Sequence, residues 1–149
     1  MDLNESDWED LIIKELERSV KMRMMSDVPM GALLSGGVDS SAVVAFMSRN
    51  SKKRIETFNI GFDDDSFDET PYALDVSRKY NTLHTNIRVS SEDLLNNISN
   101  LVDYYDEPIA DNSILPTFIL AQETKKHITV ALNGDGGDEN FAGYDRYNI

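Results

Sequence analysis

The chain has 149 residues, of which 40% are hydrophobic and 28% charged, the mixture of an ordinary globular domain. Its formal net charge of -13 repels nucleic acid, and the lack of cysteine excludes disulfides, thiolate metal sites and a cysteine nucleophile. No apolar run approaches the roughly 20 residues of a membrane span, and the acidic start is no signal peptide. We therefore expect a soluble cytoplasmic protein that binds neither nucleic acid nor membrane.

Strand and helix patterns alternate along the chain. Ser6-Asp7-Trp8-Glu9 has the composition of a capping box, and an apolar stripe from Trp8 to Val20 predicts a helix that runs to about Met25. The later elements are recognised by apolar runs, caps and helical periodicity. In chain order they are a strand over 28–34, a helix through 42–47, a strand over 55–62, a helix capped by Thr70, a strand over 83–89, a helix from Ser90 that Pro108 ends, a helix over 114–126 and a strand over 128–132.

This alternation predicts parallel crossovers with helices on both faces of one sheet. The expected fold class is therefore α/β, a doubly wound, Rossmann-like parallel sheet with about four strands. Such sheets bind ligands at the carboxyl ends of their strands, at the topological switch point. Two glycine-rich loops, 35–41 and 133–139, follow predicted strands and are expected to face that crevice.

The first of these loops, Ser35-Gly36-Gly37-Val38-Asp39-Ser40-Ser41, is the strongest functional signal. Its glycines let the backbone approach a phosphate, and the N–H groups of the following helix then face the anion. It is not a Walker A loop, because the G-x-x-x-x-G-K-[ST] pattern is absent. Asp39 beside a polyphosphate needs a bridging cation, most simply Mg²⁺. The alternative is an ordinary strand-to-helix turn with Asp39 at a helix N-terminus.

The second loop runs from Asn133 to Glu139 and contains three acids and three glycines. An acidic loop cannot hold a phosphate directly. It could hold Mg²⁺ with Asp39 across the crevice, or it could remove protons. The alternative is a solvated acidic turn, but the two loops together are more specific than either one alone.

The motif from Ser35 to Ser40 resembles the pyrophosphate loop (S-G-G-x-D-S) of the ATP pyrophosphatase group. That group includes asparagine, argininosuccinate, GMP and NAD synthetases and tRNA-thiolating enzymes. Other segments resemble the synthetase domain of glutamine-hydrolysing asparagine synthases in type, order and spacing. These segments are 26–29, 58–62, 68–69, 134–139 and 141–144. The resemblance spans about Ser19 to Tyr147 and implies the adenine nucleotide alpha hydrolase-like form of the fold.

The resemblance also implies a reaction, in which ATP activates the side-chain carboxylate of aspartate as an acyl-adenylate and ammonia then gives asparagine, AMP and pyrophosphate. It implies that Asp39 and Asp138 bind Mg²⁺, that Asp135 acts as a base on ammonia and that Glu139 shapes the amino-acid pocket. The residues that it implies for ATP are Leu33, Ser35, Gly36, Gly37, Asp39, Ser40, Ser41, Ile60, Asn133 and Gly134.

The family further carries a glutaminase domain, which supplies the ammonia, and a C-terminal helical part. Neither matches a segment of this chain, so residues 1–149 are expected to be the N-terminal part of the synthetase domain of a longer ligase. This part is expected to be inactive alone and able to self-associate through its crevice. Two alternatives stay open. One is a relative that adenylates another carboxylate, of the β-lactam-forming, peptide-cyclising or sugar amidotransferase type, and the other is a nucleotide-binding module without turnover.

Overall fold

The computed structural model describes residues 4–64, 66, 68–107, 109–144 and 147. Within these residues the chain forms four strands and six helices, which alternate as the sequence predicts. The strands are β1 (Met30–Leu33), β2 (Glu56–Phe62), β3 (Leu83–Val89) and β4 (Val130–Leu132). The helices are α1 (Glu5–Arg23), α2 (Val38–Asn50), α3 (Thr70–Tyr80), α4 (Ser91–Tyr104), α5 (Ile114–Thr124) and α6 (Gly137–Phe141).

The strands form one parallel sheet in the order β3-β2-β1-β4. The chain steps outward from β1 to β2 and β3 and then crosses back to place β4 on the other side of β1. Right-handed crossovers in opposite directions put α2 and α3 on one face and the α4–α5 connection on the other. The predicted doubly wound parallel fold is confirmed, and its switch point lies between β1 and β4, where both glycine-rich loops leave the sheet.

The main core lies between the sheet and helices α1 to α3. Ala32 and Leu34, which point to the same side of the first strand and its extension, are 0% and 1% exposed. Their side chains pack with Val44 and Met47 of α2 and Ala73 of α3. Burial of each of the larger side chains stabilises the fold by about 1.5–3 kcal/mol. This packing fixes the end of β1 and the start of α2, and therefore the first loop between them.

The first helix begins two residues earlier than its predicted capping box. Asp7 N–H donates to Asn4 Oδ1 at 3.0 Å and Asn4 N–H donates to Asp7 Oδ2 at 3.4 Å, so Asn4 is the cap and the Ser6 prediction is wrong. Both residues carry cap chemistry, and only the reciprocal bond distinguishes them. The predicted apolar stripe is buried at Val20 but exposed at Trp8, whose exposed fraction is 49%.

Other element ends also differ from the sequence predictions. The cap of α3 is Glu69, and Thr70 is the first helical residue rather than the cap. The Ser90 cap of α4 is confirmed, because its hydroxyl accepts from Asp93 N–H at 3.1 Å. The helix ends at Tyr104, and Pro108 lies outside the described residues. Among the helices described, none combines the length and the apolar character needed to cross a membrane.

Candidate functional site

A cleft of about 470 Å³ opens at the carboxyl ends of β1, β2 and β4. This volume lies in the range of small-molecule sites, and the position is the switch point at which such sheets bind ligands. Most of the residues predicted for the site line this cleft. They are Leu33, Ser35, Gly37, Asp39, Ser40, Ile60, Asn133, Gly134, Asp135, Asp138 and Glu139.

Two predicted site residues do not line the cleft. Gly36 faces α3 instead, because a Cβ at this position would lie 2.5 Å from Tyr72 Cβ and 2.6 Å from Ala73 N. The Ser41 hydroxyl is buried and has no hydrogen-bond partner within the described part of the chain. Gly36 thus packs against α3, and the roles of Gly36 and Ser41 in binding ATP stay predictions.

The cleft wall formed by the first loop presents hydrogen-bond donors. The N–H groups in the first turn of a helix have no intrahelical partners. At the start of α2 no cap side chain accepts from them either, because the N-terminal cap is Gly37. Ser35 Oγ and Ser40 Oγ lie 2.9 Å apart, and Gly37 N–H donates to Ser35 Oγ at 3.3 Å. Backbone donors, hydroxyl groups and the positive end of a helix make this wall suited to an anion.

The two loops touch at the carboxyl group of Asp39. A Cβ on Gly137 would lie 2.2 Å from Asp39 Cγ, so the missing side chain at the start of α6 makes room for that carboxylate. The next residue, Asp138, lines the same cleft. The neighbouring parallel strands β1 and β4 therefore bring one carboxylate from each loop to the same end of the cleft.

Two acids of the second loop are held by neighbours. Asn133 Nδ2 donates to Asp135 Oδ2 at 2.7 Å, and Asp135 N–H donates back to Asn133 Oδ1 at 3.3 Å. Tyr144 Oη donates to Glu139 Oε1 at 2.7 Å. Asp39 and Asp138 are different, since within the described part of the chain neither carboxylate forms a hydrogen bond or an ion pair. Asp135 and Glu139 are thus oriented by protein groups, whereas Asp39 and Asp138 stay available to a ligand.

The charge on the cleft wall is entirely negative among the lining residues that the structure describes. Carboxylates come from both loops and from the start of α3, and none of these lining residues is lysine, arginine or histidine. The lining acids are Asp39, Glu69, Asp135, Asp138 and Glu139. Coulomb repulsion would oppose binding of a bare polyphosphate here, so the wall favours a phosphate that arrives with a cation.

The residues present fit Mg²⁺ that enters with a nucleotide better than they fit a metal cage. The described residues contain no group of three or more His, Asp or Glu side chains placed to hold a metal ion. Mg²⁺ in nucleotide sites is usually bound through one or two carboxylates, with phosphates and water completing its octahedron. Asp39 and Asp138 supply two such carboxylates.

Several residues that line the cleft could not be predicted from the sequence. Thr117 and Leu120 of α5 and the buried Phe58 of β2 line it, as do Glu69 and Tyr144. Their segments were recognised as a helix, a strand and stretches of family resemblance, but none was given a role. Only the crossover that brings α5 over the sheet places its residues beside the loops, and no local pattern in the helix signals that position.

The chain is similar in sequence to known proteins. The family model described as asparagine synthase matches residues 11–149. A glutamine-hydrolyzing asparagine synthetase of Bacillus subtilis is 37% identical over 143 residues, which cover 93% of this chain and 22% of that protein. A putative asparagine synthetase of Methanocaldococcus jannaschii is 44% identical over 132 residues, covering 88% of this chain and 25% of that protein. The chain thus spans about a quarter of the length of these curated relatives.

The fold is also found among solved structures. A glutamine-dependent NAD+ synthetase from Acinetobacter baumannii, solved in complex with adenosine diphosphate, matches with a TM-score of 0.63 and 18% identity. The match covers 89% of this chain and 27% of that one. At this identity the likeness shows that the two proteins share a fold.

Proposed function

Because the chain belongs to the asparagine synthase family, we propose that it is the ATP-binding part of a ligase that adenylates the side-chain carboxylate of aspartate. The observation that carries this proposal is the junction of the two loops at the switch point. There the donor-rich start of α2 faces the cleft beside two carboxylates, Asp39 and Asp138, that form no hydrogen bond or ion pair with a described protein group. This combination suits a magnesium-bound triphosphate.

The nucleotide would lie across the cleft with its phosphates on the first loop. Ser35, Gly37 and Ser40 line that end and offer hydroxyl and N–H donors. Leu33, Ile60 and Leu120 also line the cleft, and their apolar side chains would suit adenine and ribose. The bound adenosine diphosphate of the A. baumannii relative supports a nucleotide on this fold.

Asp39 and Asp138 would hold Mg²⁺, one carboxylate from each loop. When bound, the ion would neutralise charge that develops on the departing pyrophosphate. The N–H groups at the start of α2 would act on the same oxygens, and they need no reorganisation because the helix already fixes their directions.

Asp135 and Glu139 would act at the α-phosphorus end. The aspartate carboxylate forms a bond to the α-phosphorus and the bond to pyrophosphate breaks, which leaves an acyl-adenylate. Ammonia then attacks the acyl carbon, AMP leaves and asparagine forms. Asn133 holds one oxygen of Asp135, so the other oxygen can accept a proton from the attacking nitrogen. Glu139, fixed by Tyr144, would shape the amino-acid pocket.

The ammonia would come from a glutaminase domain of the kind for which the relatives are named glutamine-hydrolyzing. This chain contributes the nucleotide wall and the acids of the second loop. The proposed partners of the site are therefore ATP, Mg²⁺, aspartate and ammonia.

Isothermal titration with ATP in the presence and absence of Mg²⁺ tests the nucleotide assignment. We expect heat and a thermal shift with Mg-ATP and a much weaker response when the ion is chelated, because the wall is acidic. Mg-GTP is the matched control for the base. Absence of heat and of any thermal shift at millimolar Mg-ATP would refute the nucleotide site.

A second measurement tests the carboxylate. With a non-hydrolysable ATP analogue and Mg²⁺ bound, aspartate should raise the melting temperature further and glutamate should not. A response to glutamate alone would leave the nucleotide site intact and reject aspartate as the substrate.

A further inference from the structure

A polar network lies behind the cleft and centres on the hydroxyl of Thr70. Thr70 Oγ1 donates to Asp68 Oδ1 at 2.5 Å, and it accepts from Asn86 Nδ2 at 2.6 Å and from Asn59 Nδ2 at 3.1 Å. A hydroxyl has one proton and two lone pairs, so these three bonds use its whole capacity. Because Asn59 belongs to β2, Asn86 to β3 and Thr70 to α3, one oxygen atom joins three elements.

This network reaches the cleft through backbone on two sides. Asn59 Nδ2 also donates to the carbonyl oxygen of Ile60 at 3.3 Å, and both residues line the cleft. Glu69, the residue before Thr70, lines it as well. The first turn of α3, which begins at Thr70, packs against the first loop. The backbone of α3 can approach the loop there because Gly36 has no Cβ. A shift of Thr70 would therefore move two walls of the cleft.

The charged neighbours of the network are secondary to the hydroxyl. Arg88 lies 3.3 Å from both Asp68 and Asp63, but its side chain is 57% exposed, and exposed ion pairs contribute little. The hydrogen bond from Thr70, with a smaller effect of Arg88, lowers the pKa of the Asp68 carboxyl. The hydroxyl is thus the one atom through which Asn59, Asn86 and Asp68 are connected.

A second hydroxyl cluster on the same strand gives an internal comparison. Thr57 Oγ1 lies 2.8 Å from Thr82 Oγ1 and 3.0 Å from His84 Nδ1, and Thr82 Oγ1 donates to Ser77 Oγ at 2.9 Å. This cluster also joins β2, β3 and the α3 region, and Thr57 is 0% exposed. None of its members lines the cleft.

We propose that Thr70 is a positioning residue for the nucleotide, whose hydroxyl sets the spacing between the end of β2, the start of α3 and the first glycine-rich loop. That the ligand is a nucleotide rests on the proposed function, but the spacing that the Thr70 hydroxyl sets does not. Valine has nearly the shape of threonine, and at position 70 it would break the bonds to Asn59, Asn86 and Asp68. Within the described part of the chain, Asn86 Nδ2 would then have no hydrogen-bond partner. Serine would keep the oxygen.

Three variants test the proposal: Thr70→Val, Thr70→Ser and the matched control Thr57→Val. Each is titrated with Mg-ATP at a temperature at which circular dichroism shows it fully folded. We expect Thr70→Val to weaken binding about tenfold or more, and Thr70→Ser and Thr57→Val to stay within about twofold, although Thr57→Val lowers the melting temperature. Equal weakening in both valine variants, or wild-type affinity in Thr70→Val, would overturn the proposal.

Hydrogen exchange without nucleotide separates this inference from the proposed function. Thr70→Val should speed amide exchange over 35–41 and 69–73, and Thr57→Val should leave those segments unchanged. If the wild type binds no Mg-ATP, the proposed function fails and the exchange result still decides the positioning. If exchange in both segments is unchanged in Thr70→Val, the positioning fails even where Mg-ATP binds. Should Thr70→Val not fold, Asn86→Ala, which removes a single donor, takes its place in both measurements.

Discussion

The two glycine-rich loops look alike in sequence and differ in the structure around them. Each follows a strand and contains one glycine with a positive φ, 92° at Gly36 and 89° at Gly136. A Cβ on Gly36 would lie 2.5 Å from the backbone of α3, whereas a Cβ on Gly136 would meet nothing nearer than Asn140 Nδ2 at 3.8 Å. Position 36 thus needs glycine for both conformation and space, and position 136 needs it for conformation alone.

The helices at the ends of the two loops differ as well. The first loop leads into α2, a helix of 13 residues whose buried apolar side chains belong to the main core. The second leads into α6, which has five residues and buries none of them. Segments with few buried contacts open at low free energy. The first loop is therefore a fixed surface for phosphate, and the second is the part of the site suited to adjust around a ligand.

The largest expected effect distinguishes the two glycines that have a positive φ, Gly36 and Gly136. Gly36→Ala adds a strained left-handed residue and a steric overlap with α3, and should lower the free energy of unfolding by about 3 kcal/mol or more. Gly136→Ala adds only the backbone strain and should cost about 1 kcal/mol. Urea unfolding of both variants measures the difference. Equal losses would show that the space beside Gly36 is not limiting.

A second prediction concerns the carboxylate that each loop contributes. Asp39→Asn and Asp138→Asn should each weaken Mg-ATP binding about tenfold and reduce its dependence on Mg²⁺, since one ligand of the ion is lost. Asp75→Asn, an exposed acid of α3 paired with Arg78, is the control for the change in net charge. Titration at several Mg²⁺ concentrations measures the effect, and a loss confined to one variant would assign the ion to one loop only.

A smaller effect is expected where the loops touch. Gly137→Ala places a Cβ against the Asp39 carboxyl group, a flexible side chain that can rotate away. Stability should therefore fall by only about 1 kcal/mol, while the affinity for Mg-ATP falls severalfold because Asp39 is displaced. Unfolding and titration of the same variant measure both quantities. A variant that loses much stability and keeps its affinity would contradict this account of the contact.

The smallest effect concerns motion. On addition of Mg-ATP, amide exchange should slow by about threefold or more over 133–141, because the second loop has order left to gain. It should slow less over 35–41, where only the N–H groups that bind phosphate gain a partner. Exchange measured by mass spectrometry, with Mg-GTP as control, gives both values. Stronger protection of the first loop would reverse the assignment of the fixed and the adjustable wall.

Much of this site could be predicted before the fold was known. The caps, the alternating strand and helix periods and the glycine-rich loops after two strands are local features. Together they predict a doubly wound sheet with a ligand site at its switch point. The Ser90 cap is confirmed because its bond closes within three residues. The same kind of local chemistry was ambiguous at the first helix, where Asn4 and Ser6 both suit a cap and the fold uses Asn4.

The sequence by itself determined the elements and the type of site, because helix caps, strand periods and the donors of a glycine-rich loop depend on residues close together in the chain. Tertiary structure decided which side chains meet. Ser40 lines the cleft and Ser41 does not, since successive helical residues point about 100° apart. Thr117 and Asn86 reach the site or its support only through crossovers between distant strands, and no local pattern encodes the contact that a crossover creates.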